Sequence, residues 1–178
     1  MWSRTHGLSP TVRNGAGPVA VSATPAIHFL RKHDVSFTEH EYRYEERGGT
    51  RVSSRELGVD EHSVIKTLVM QDERAQPLIV LMHGNREVST KRLARAAGRK
   101  HIVPCATDVA QKHTGYQVGG TSPFGTRKVL PVYMERTIAD LPRVFINGGR
   151  RGFLVGLDPQ EIVRTLAPTL VDVAIISG

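Results

Sequence analysis

Residues 115–125 form the stretch whose composition best suits ligand binding. This segment, GYQVGGTSPFG, has four glycines, a proline and the hydroxyl residues Thr121 and Ser122, and the cations Arg127 and Lys128 follow at once. Glycine lets the backbone approach another group closely because it has no Cβ, and proline fixes the direction of the chain. The pattern predicts a rigid loop whose amides suit a polar or anionic ligand. An ordinary hairpin turn has the same composition, so both interpretations stay open.

Lys66 is the only charged residue in the apolar segment 64-VIKTLVM-70. The β-branched content of this segment predicts a strand, in which Lys66 shares a face with Val64 and Leu68. A lysine in such a strand extends to water at a sheet edge, loses its charge or binds an anion. In a pocket, its ammonium group can hold a phosphate or polarise a carbonyl.

Basic residues are concentrated in residues 86–100, which contain six of them and one acidic residue. They are Arg86, Lys91, Arg92, Arg95, Arg99 and Lys100. The whole chain has a formal net charge of +7. A local cluster of this kind predicts contact with nucleic acid or another polyanion, and the alternative is a solvated basic face.

Other common chemistries find little support in the sequence. The eight histidines lack zinc-site spacing and no phosphate-binding glycine motif is present, so we expect no metal and no cofactor. Proline follows Ser122 where a nucleophile elbow needs a backbone N–H, which argues against a serine hydrolase. The single cysteine, Cys105, is interpreted as a small buried residue rather than a helix-end thiolate, and it favours a reducing, cytoplasmic compartment.

Helices and strands are predicted to be interspersed, without strict β-α-β alternation. Helices are predicted from Pro25, capped by Thr24, to about Asp34, from a Ser53-x-x-Glu56 capping box to Gly58, and over 91–98, 107–113 and 159–166. Strands are predicted from 35–38 toward Tyr42 and over 64–70, 78–83, 129–134, 143–147, 152–156 and 169–176. The short connections between strands indicate a mixed α/β fold with a mainly antiparallel sheet.

The chain, at 178 residues, has the size of one domain. Residues 1–23 are rich in Gly, Pro and Ser and lack apolar periodicity, which predicts a disordered N-terminal extension, with a transit peptide as the alternative. The folded domain is then expected to span residues 24–178. No apolar run approaches the roughly 20 residues needed to span a bilayer, so no membrane contact is expected.

The motifs, taken in order, resemble those of the YbaK/EbsC family. They are TPA at 24–26, Tyr42 after a short strand, 64-VIKTL-68, 114-TGYQVGGTSPFG-125 and 147-NGGRRG-152. These proteins are stand-alone aminoacyl-tRNA deacylases related to the editing domain inserted in bacterial prolyl-tRNA synthetase. The resemblance implies a single domain with a largely antiparallel, barrel-like sheet surrounded by helices.

The resemblance also implies trans-editing hydrolysis of mischarged aminoacyl-tRNA, above all Cys-tRNA(Pro). In this type the substrate's own thiol attacks its carbonyl, so neither a metal nor a protein nucleophile is needed. The expected catalytic residues are Lys66, Gly119 and Gly120. The expected substrate contacts are Tyr42, Thr67, Thr121, Ser122, Asn147 and Gly148. The expected contacts to the tRNA acceptor stem are Arg86, Lys91, Arg92, Arg95, Arg127 and Lys128.

Asn147 departs from the resemblance, because the family commonly has a serine at this position. The amino acid that is removed therefore stays open between cysteine, alanine and serine. Prolyl-tRNA synthetase is a candidate partner that would supply tRNA identity. The alternatives are a non-catalytic tRNA- or nucleotide-binding module of the same fold, and a hydrolase of another small acyl ester.

Overall fold

The computed structural model describes residues 23–176 of the chain. The predicted N-terminal extension therefore lies outside the described residues, apart from Ala23. Within residues 23–176, no helix is both long enough and apolar enough to cross a membrane.

The described residues form five helices and ten strands. The helices are α1 (Pro25–Lys32), α2 (Gly49–Leu57), α3 (Thr90–Ala97), α4 (Thr107–Thr114) and α5 (Pro159–Leu166). The strands are β1 (Thr38–Glu41), β2 (Val64–Asp72), β3 (Pro77–His83), β4 (Arg86–Val88), β5 (Ile102–Pro104), β6 (Val132–Glu135), β7 (Val144–Asn147), β8 (Phe153–Leu157), β9 (Thr169–Val171) and β10 (Ala174–Ile176). Short 3-10 turns cover Glu61–Ser63 and Arg136–Asp140.

One mixed sheet organises the domain. Seven strands follow the order β1-β8-β7-β2-β3-β6-β9, and β5 pairs with β2 beside this path. The pairs β1–β8, β7–β8, β2–β3 and β2–β5 are antiparallel, whereas β2–β7, β3–β6 and β6–β9 are parallel. The predicted mixed, mainly antiparallel sheet is thus confirmed, and β10 and β4 form a separate antiparallel ladder.

β3 is buried on both faces, as its uninterrupted apolar sequence predicts. Ile79 and Leu81 face a core that includes the buried residues of α1 and α5. Val80 and Met82 face a second core that includes Leu93 of α3. A third cluster joins Val64, Phe145 and Leu154 beside Leu57, the last residue of α2. The sheet is therefore the middle layer of the domain, and α2 and α3 cover the face on which Lys66 stands.

Several helix starts agree with the capping residues in the sequence. Thr24, Ser89 and Asp158 each accept a backbone N–H in the first turn of α1, α3 and α5. The predicted capping box at Ser53 is wrong, because α2 begins four residues earlier, at Gly49. The Ser53 hydroxyl donates to the carbonyl of Thr50 inside the helix. No side chain caps this helix start, so the sequence carried no signal for it.

The predicted last strand, 169–176, is divided into β9 and β10. The buried carboxylate of Glu135 accepts the N–H groups of Val173 and Ala174 at 2.8 and 3.0 Å. These bonds turn the chain away from β6, which pairs with β9, toward β4, which pairs with β10. The predicted strand at 129–134 is also shorter, since β6 begins after Pro131.

We expect the domain to lose stability as the pH falls below about 6.5, the ordinary pKa of histidine, because of His83. This side chain is 1% exposed and stacks on His62 with 3.7 Å between ring centroids. Its Nδ1–H donates to the His62 carbonyl and its Nε2 accepts from the Thr137 hydroxyl, both at 2.7 Å. Burial lowers the pKa of His83, and the positive charge of Arg86 acts in the same direction.

The unfolded chain therefore takes up a proton at a higher pH than the folded chain does. The stabilising contribution is complete above the unfolded pKa and is lost as the pH falls toward the lower folded pKa. Urea unfolding between about pH 8 and pH 5 measures this loss. We expect His83→Gln to be less stable at neutral pH but to have a flatter pH profile. An equal slope in both proteins would contradict this role of His83.

Candidate active site

A cleft of about 620 Å³ lies between α2, the first half of β2 and residues 118–121. This volume falls within the roughly 300–1,000 Å³ of small-molecule sites. Six of the nine residues predicted to be catalytic or substrate-binding line it. They are Tyr42, Lys66, Thr67, Gly119, Thr121 and Asn147. The lysine strand and the glycine loop, which are about 50 residues apart in the sequence, therefore share one cleft.

The pairing of β2 is interrupted where it borders the cleft. On one side β2 pairs with β3 along nearly its whole length. On the other side it pairs with β7 only at Val64 and Ile65, and with β5 only from Met70 to Asp72. Residues 66–69 thus lack a neighbouring strand there, although the Val69 carbonyl accepts the Cys105 N–H at 3.1 Å.

Thr67 supplies polar groups at this open edge. Alternate residues of a strand direct their backbone groups to the same side, so Thr67 directs its N–H and C=O to the side on which Val69 meets Cys105. The Thr67 hydroxyl oxygen is buried and has no hydrogen-bond partner within residues 23–176. A buried polar atom without a partner is unusual in a folded protein, and here it belongs to a residue of the cleft wall.

Lys66 enters the cleft wall half-buried rather than extending freely into water. Its ammonium group donates a hydrogen bond to the backbone carbonyl of Arg86. Burial lowers the pKa of Lys66, while the carboxylates of Glu87 and Glu61 oppose this shift. An ammonium group has three N–H donors, and this bond uses one of them. Lys66 can therefore bind an anion or a carbonyl oxygen from a fixed position.

The glycine loop approaches the cleft with its backbone. Gly119 has a φ of +85°, and a Cβ there would lie 2.7 Å from the Tyr44 hydroxyl. The N–H groups of Gly119 and Thr121 have no acceptor within the described residues, whereas the Gly120 N–H donates to the Gln117 carbonyl at 2.9 Å. Gly119 and Thr121 are thus the candidate amide donors, whereas the Gly120 amide is already used in the bond to Gln117.

Asn147 fastens this loop to the turn after β7. Its Nδ2 donates to the carbonyls of Gly119 and Arg150, both at 3.2 Å. Its Oδ1 accepts the Gly149 N–H at 2.7 Å. A serine hydroxyl has one proton to donate and could not make both donor bonds at once. The asparagine is therefore a positioning residue for Gly119, in addition to being part of the cleft wall.

Tyr44 and Arg151 also line the cleft and were not among the predicted site residues. The Arg151 guanidinium lies 5.2 Å from the centroid of the Tyr44 ring, and its Nε donates to the Val118 carbonyl at 2.9 Å. Arg151 thereby connects the tyrosine to the glycine loop. The 147-NGGRRG-152 motif contains this arginine, but its sequence carries no sign that the side chain reaches residue 118.

Comparison with known proteins identifies the family to which this chain belongs. Residues 49–165 match the family described as "Aminoacyl-tRNA editing domain". That is more than half of the chain. The chain belongs to the aminoacyl-tRNA editing domain family.

Relatives and solved structures agree with this membership. The chain is 30% identical over 141 residues to the Enterococcus faecalis protein named "Putative Cys-tRNA(Pro)/Cys-tRNA(Cys) deacylase EbsC", a match that covers 79% of this chain and 86% of that protein. It is 33% identical over 93 residues to the proline–tRNA ligase of Syntrophotalea carbinolica, covering 52% of this chain but 16% of the ligase. The structure titled "Crystal structure of a putative trans-editing enzyme for prolyl tRNA synthetase" has a TM-score of 0.75 at 19% identity, covering 97% of this chain and 100% of that one. The predicted resemblance to the YbaK/EbsC family is confirmed.

Three predicted site residues of this editing domain lie outside the cleft lining. They are Gly120, Ser122 and Gly148. The Ser122 hydroxyl is fully buried and accepts the Phe124 N–H at 3.2 Å, so it shapes the loop. Gly148 is covered by the Phe153 ring, and its N–H donates to the Phe153 carbonyl at 3.0 Å. Ser122 and Gly148 are therefore buried beside the cleft and are not part of its lining.

The predicted tRNA-binding residues of the editing domain are distributed over several surfaces. Lys91 and Arg95 line a groove beside α3, and Lys128 lines a different cleft. Arg127 donates to the Lys112 carbonyl at 3.4 Å on yet another surface. Arg86 and Arg92 line none of these depressions.

Among the described residues that line the cleft there is no histidine and no cysteine, so none of them supplies an imidazole that could activate a hydroxyl as a nucleophile. Cys105 lies near Gln71, 3.6 Å from its Oε1, and burial raises the pKa of the thiol. Within the described residues, no group of three or more potential metal ligands was found.

Proposed function

We propose that the chain hydrolyses the ester bond of mischarged aminoacyl-tRNA, and that Cys-tRNA(Pro) is its main substrate. The observation that carries this proposal is the meeting of Lys66 and Thr67 with Gly119 and Thr121 in one cleft of an editing domain. A strand lysine and a loop with two unbonded amides suit an aminoacyl ester, which has a carbonyl oxygen, a ribose and a nearby phosphate.

The proposed chemistry needs stabilisation of charge more than a reactive side chain. When a nucleophile attacks the ester carbonyl, negative charge develops on the carbonyl oxygen. The Gly119 and Thr121 amides are the proposed donors to this oxygen. The bond from the carbonyl carbon to the ribose oxygen then breaks, and the ribose oxygen takes up a proton. Lys66 is proposed to hold the terminal phosphate or ribose, so that the ester stays beside these amides.

The nucleophile is proposed to come from outside the protein. The cleft has hydroxyl groups but no histidine that could serve as their base. For a cysteinyl ester, the substrate's own thiolate can attack its carbonyl and expel the ribose oxygen, and water then opens the cyclic thioester. This route matches the printed name of the Enterococcus relative, which specifies Cys-tRNA(Pro) and Cys-tRNA(Cys). Alanyl esters lack a thiol and would need attack by water.

The proposed partner is prolyl-tRNA synthetase, which would supply tRNA identity. The chain matches a segment of several proline–tRNA ligases, and one structural neighbour is titled a "putative trans-editing enzyme for prolyl tRNA synthetase". An enzyme that lacks its own tRNA selection can obtain it by acting beside the synthetase that charged the tRNA.

A deacylation panel on tRNA(Pro) tests the proposal. The purified chain is mixed with tRNA(Pro) charged with cysteine, alanine, serine or proline, and the remaining ester is measured over time. We expect the cysteinyl ester to be cleaved fastest and the prolyl ester to stay intact. Faster cleavage of the alanyl ester would refute attack by the substrate thiol. Binding of tRNA without cleavage of any ester would instead favour the non-catalytic binding module.

A further inference from the structure

A groove of about 490 Å³ between α3 and β5 is lined by five basic residues and no acidic residue. They are Lys91, Arg95, Arg99, Lys100 and His101. Glu73 lies outside this lining and accepts the backbone N–H of Lys100 at 3.2 Å. Among the described residues, the walls of the groove therefore contribute cationic side chains and no carboxylate, although Arg99 pairs with Asp72 outside the groove.

Arg99 connects this groove with a second cleft of about 400 Å³. The second cleft adds His113 and Lys128, and Asp72 is its one acidic residue. The Asp72 side chain is fully buried and already bonded, since its Oδ1 accepts the N–H groups of Arg74 and Gln76 at 2.8 and 3.0 Å. Its Oδ2 lies 3.3 Å from Arg99 Nε. Asp72 and Arg99 thus form an ion pair without a hydrogen bond, since neither Asp72 Oδ2 nor Arg99 Nε has a hydrogen-bond partner among the described residues. The Arg99 side chain is 36% exposed, so part of it faces the solvent that an anion would occupy.

Two basic segments that are separate in the sequence therefore form one surface, which joins α3 to Lys128 through Arg99. We propose that this surface, the α3 groove with the second cleft, binds the phosphodiester backbone of RNA at the first base pairs of the acceptor stem, next to the single-stranded 3′ end. The assignment rests on the proposed function, because it assumes that the aminoacyl end of a tRNA occupies the Lys66 cleft.

Distance supports this assignment. Thr67 borders the cleft, and Asp72 pairs with Arg99. Thr67 and Asp72 are five positions apart on β2, which corresponds to about 16 Å along the strand. Stacked nucleotides advance about 3.4 Å each along a strand, so 16 Å corresponds to about five nucleotides. Counted from the terminal adenosine, that length passes the single-stranded 3′ end and reaches the first paired nucleotides. A row of arginines and lysines there would bind phosphates without reading bases.

A fluorescence anisotropy titration tests the surface without relying on catalysis. The probe is an uncharged RNA hairpin with an acceptor-stem sequence and a single-stranded CCA 3′ end, titrated at several salt concentrations. Lys91→Gln/Arg95→Gln removes two charges from side chains that are exposed, so the fold should be retained. We expect the Kd to rise at least tenfold. The slope of log K against log salt should become less steep by about 1.5. Arg31→Gln/Lys32→Gln, which removes two charges from α1, is the matched control and should bind like the wild type.

Deacylation measurements separate this proposal from the proposed function. Two substrates are compared, a charged hairpin and a charged CCA trinucleotide. In Lys91→Gln/Arg95→Gln, the ratio of their kcat/KM values, hairpin over trinucleotide, should fall at least tenfold, because KM for the hairpin rises. If the wild type cleaves neither substrate, the proposed function fails, and the binding titration still decides the groove. Equal affinity and equal salt slope in the groove variant and the α1 control would overturn the groove assignment. Arg99→Gln gives a second test, with circular dichroism to confirm folding, because it leaves the buried Asp72 without its cation.

Discussion

Replacing Lys66 with alanine is expected to lower deacylation of Cys-tRNA(Pro) by about 100-fold or more while the domain stays folded. The expected size is that of removing one preorganised electrostatic group from a reaction centre. Lys66 lines the cleft, and its ammonium group is held by the Arg86 carbonyl. A group held in this way needs no reorganisation when the substrate arrives. Because Lys66 is proposed to hold the terminal phosphate or ribose beside the loop amides, its loss should raise KM as well as lower kcat.

The neighbouring charges make the ammonium group suitable for this role. Burial lowers the pKa of Lys66, but the carboxylates of Glu87 and Glu61 act in the opposite direction. The half-buried side chain is therefore partly removed from water without being left alone in an apolar site. A cation in such a place interacts more strongly with the terminal phosphate of the substrate than it would in bulk solvent.

Two further variants separate the charge of Lys66 from its packing. Lys66→Met keeps an unbranched apolar side chain but removes the ammonium group, and it should lose as much activity as Lys66→Ala. Lys32→Ala removes an exposed lysine from the last turn of α1 and should keep wild-type activity. Single-turnover rates with charged tRNA and urea unfolding curves are the measurements. Full activity in Lys66→Met would exclude an electrostatic role for this residue.

Much of the fold followed from local signals in the sequence. The Thr24 helix cap and the apolar strand 78–83 are predictable because each acts through its immediate neighbours. The start of α2 was missed because no side chain caps it. The break between β9 and β10 was missed because it depends on the Glu135 carboxylate, more than 35 residues earlier in the chain.

The candidate site was predictable in part for a similar reason. Lys66 stood out because a charge interrupts an apolar strand, and residues 115–125 stood out by composition. Neither pattern predicts how close Lys66 and residues 115–125 lie in the fold. That distance is set by the register of β2 against β7 and by the Asn147 bonds. The open edge at Thr67 also arises from pairing, since β7 and β5 stop short of each other along β2. Such features depend on tertiary structure and are not visible in any local sequence pattern.

The basic residues show most clearly which features a local sequence pattern does not predict. The sequence predicts one basic cluster over residues 86–100, yet Arg86 and Arg92 do not line the groove that contains Lys91 and Arg95. Their guanidinium groups donate instead to the carbonyls of Asn85 and Ala174. Helical periodicity explains why Lys91 and Arg95, four residues apart, share a face. It does not explain why Lys128 lines the same cleft as Arg99, because that placement depends on the 128–131 segment lying beside β3, where the Ile79 N–H donates to the Pro131 carbonyl at 2.9 Å.

Replacing Gly120 with alanine is expected to lower kcat/KM for Cys-tRNA(Pro) by up to about 100-fold, although Gly120 does not line the cleft. A Cβ at this position would lie 2.8 Å from the backbone carbon of Arg150 and 2.8 Å from the backbone nitrogen of Arg151. Backbone atoms cannot rotate aside as a flexible side chain can, so the glycine loop must move away from the turn. We also expect the free energy of unfolding to fall by about 1–3 kcal/mol, as for other overpacked sites.

The effect on activity follows from the bonds that cross this contact. Asn147 and Arg151 hold the carbonyls of Gly119 and Val118 at 3.2 and 2.9 Å, and a shift of the loop lengthens both bonds. The amides of Gly119 and Thr121 would then be displaced from the ester, and a displacement near 1 Å can cost about 100-fold in rate. Gly58→Ala is the control, because its Cβ would meet no atom within 4 Å and its positive φ adds only local strain at the end of α2. If Gly120→Ala keeps wild-type kcat/KM per folded molecule, the loop amides do not take part in the reaction. A loss in Gly120→Ala together with full activity in Gly58→Ala would instead tie the reaction to the close packing of the loop against residues 150–151.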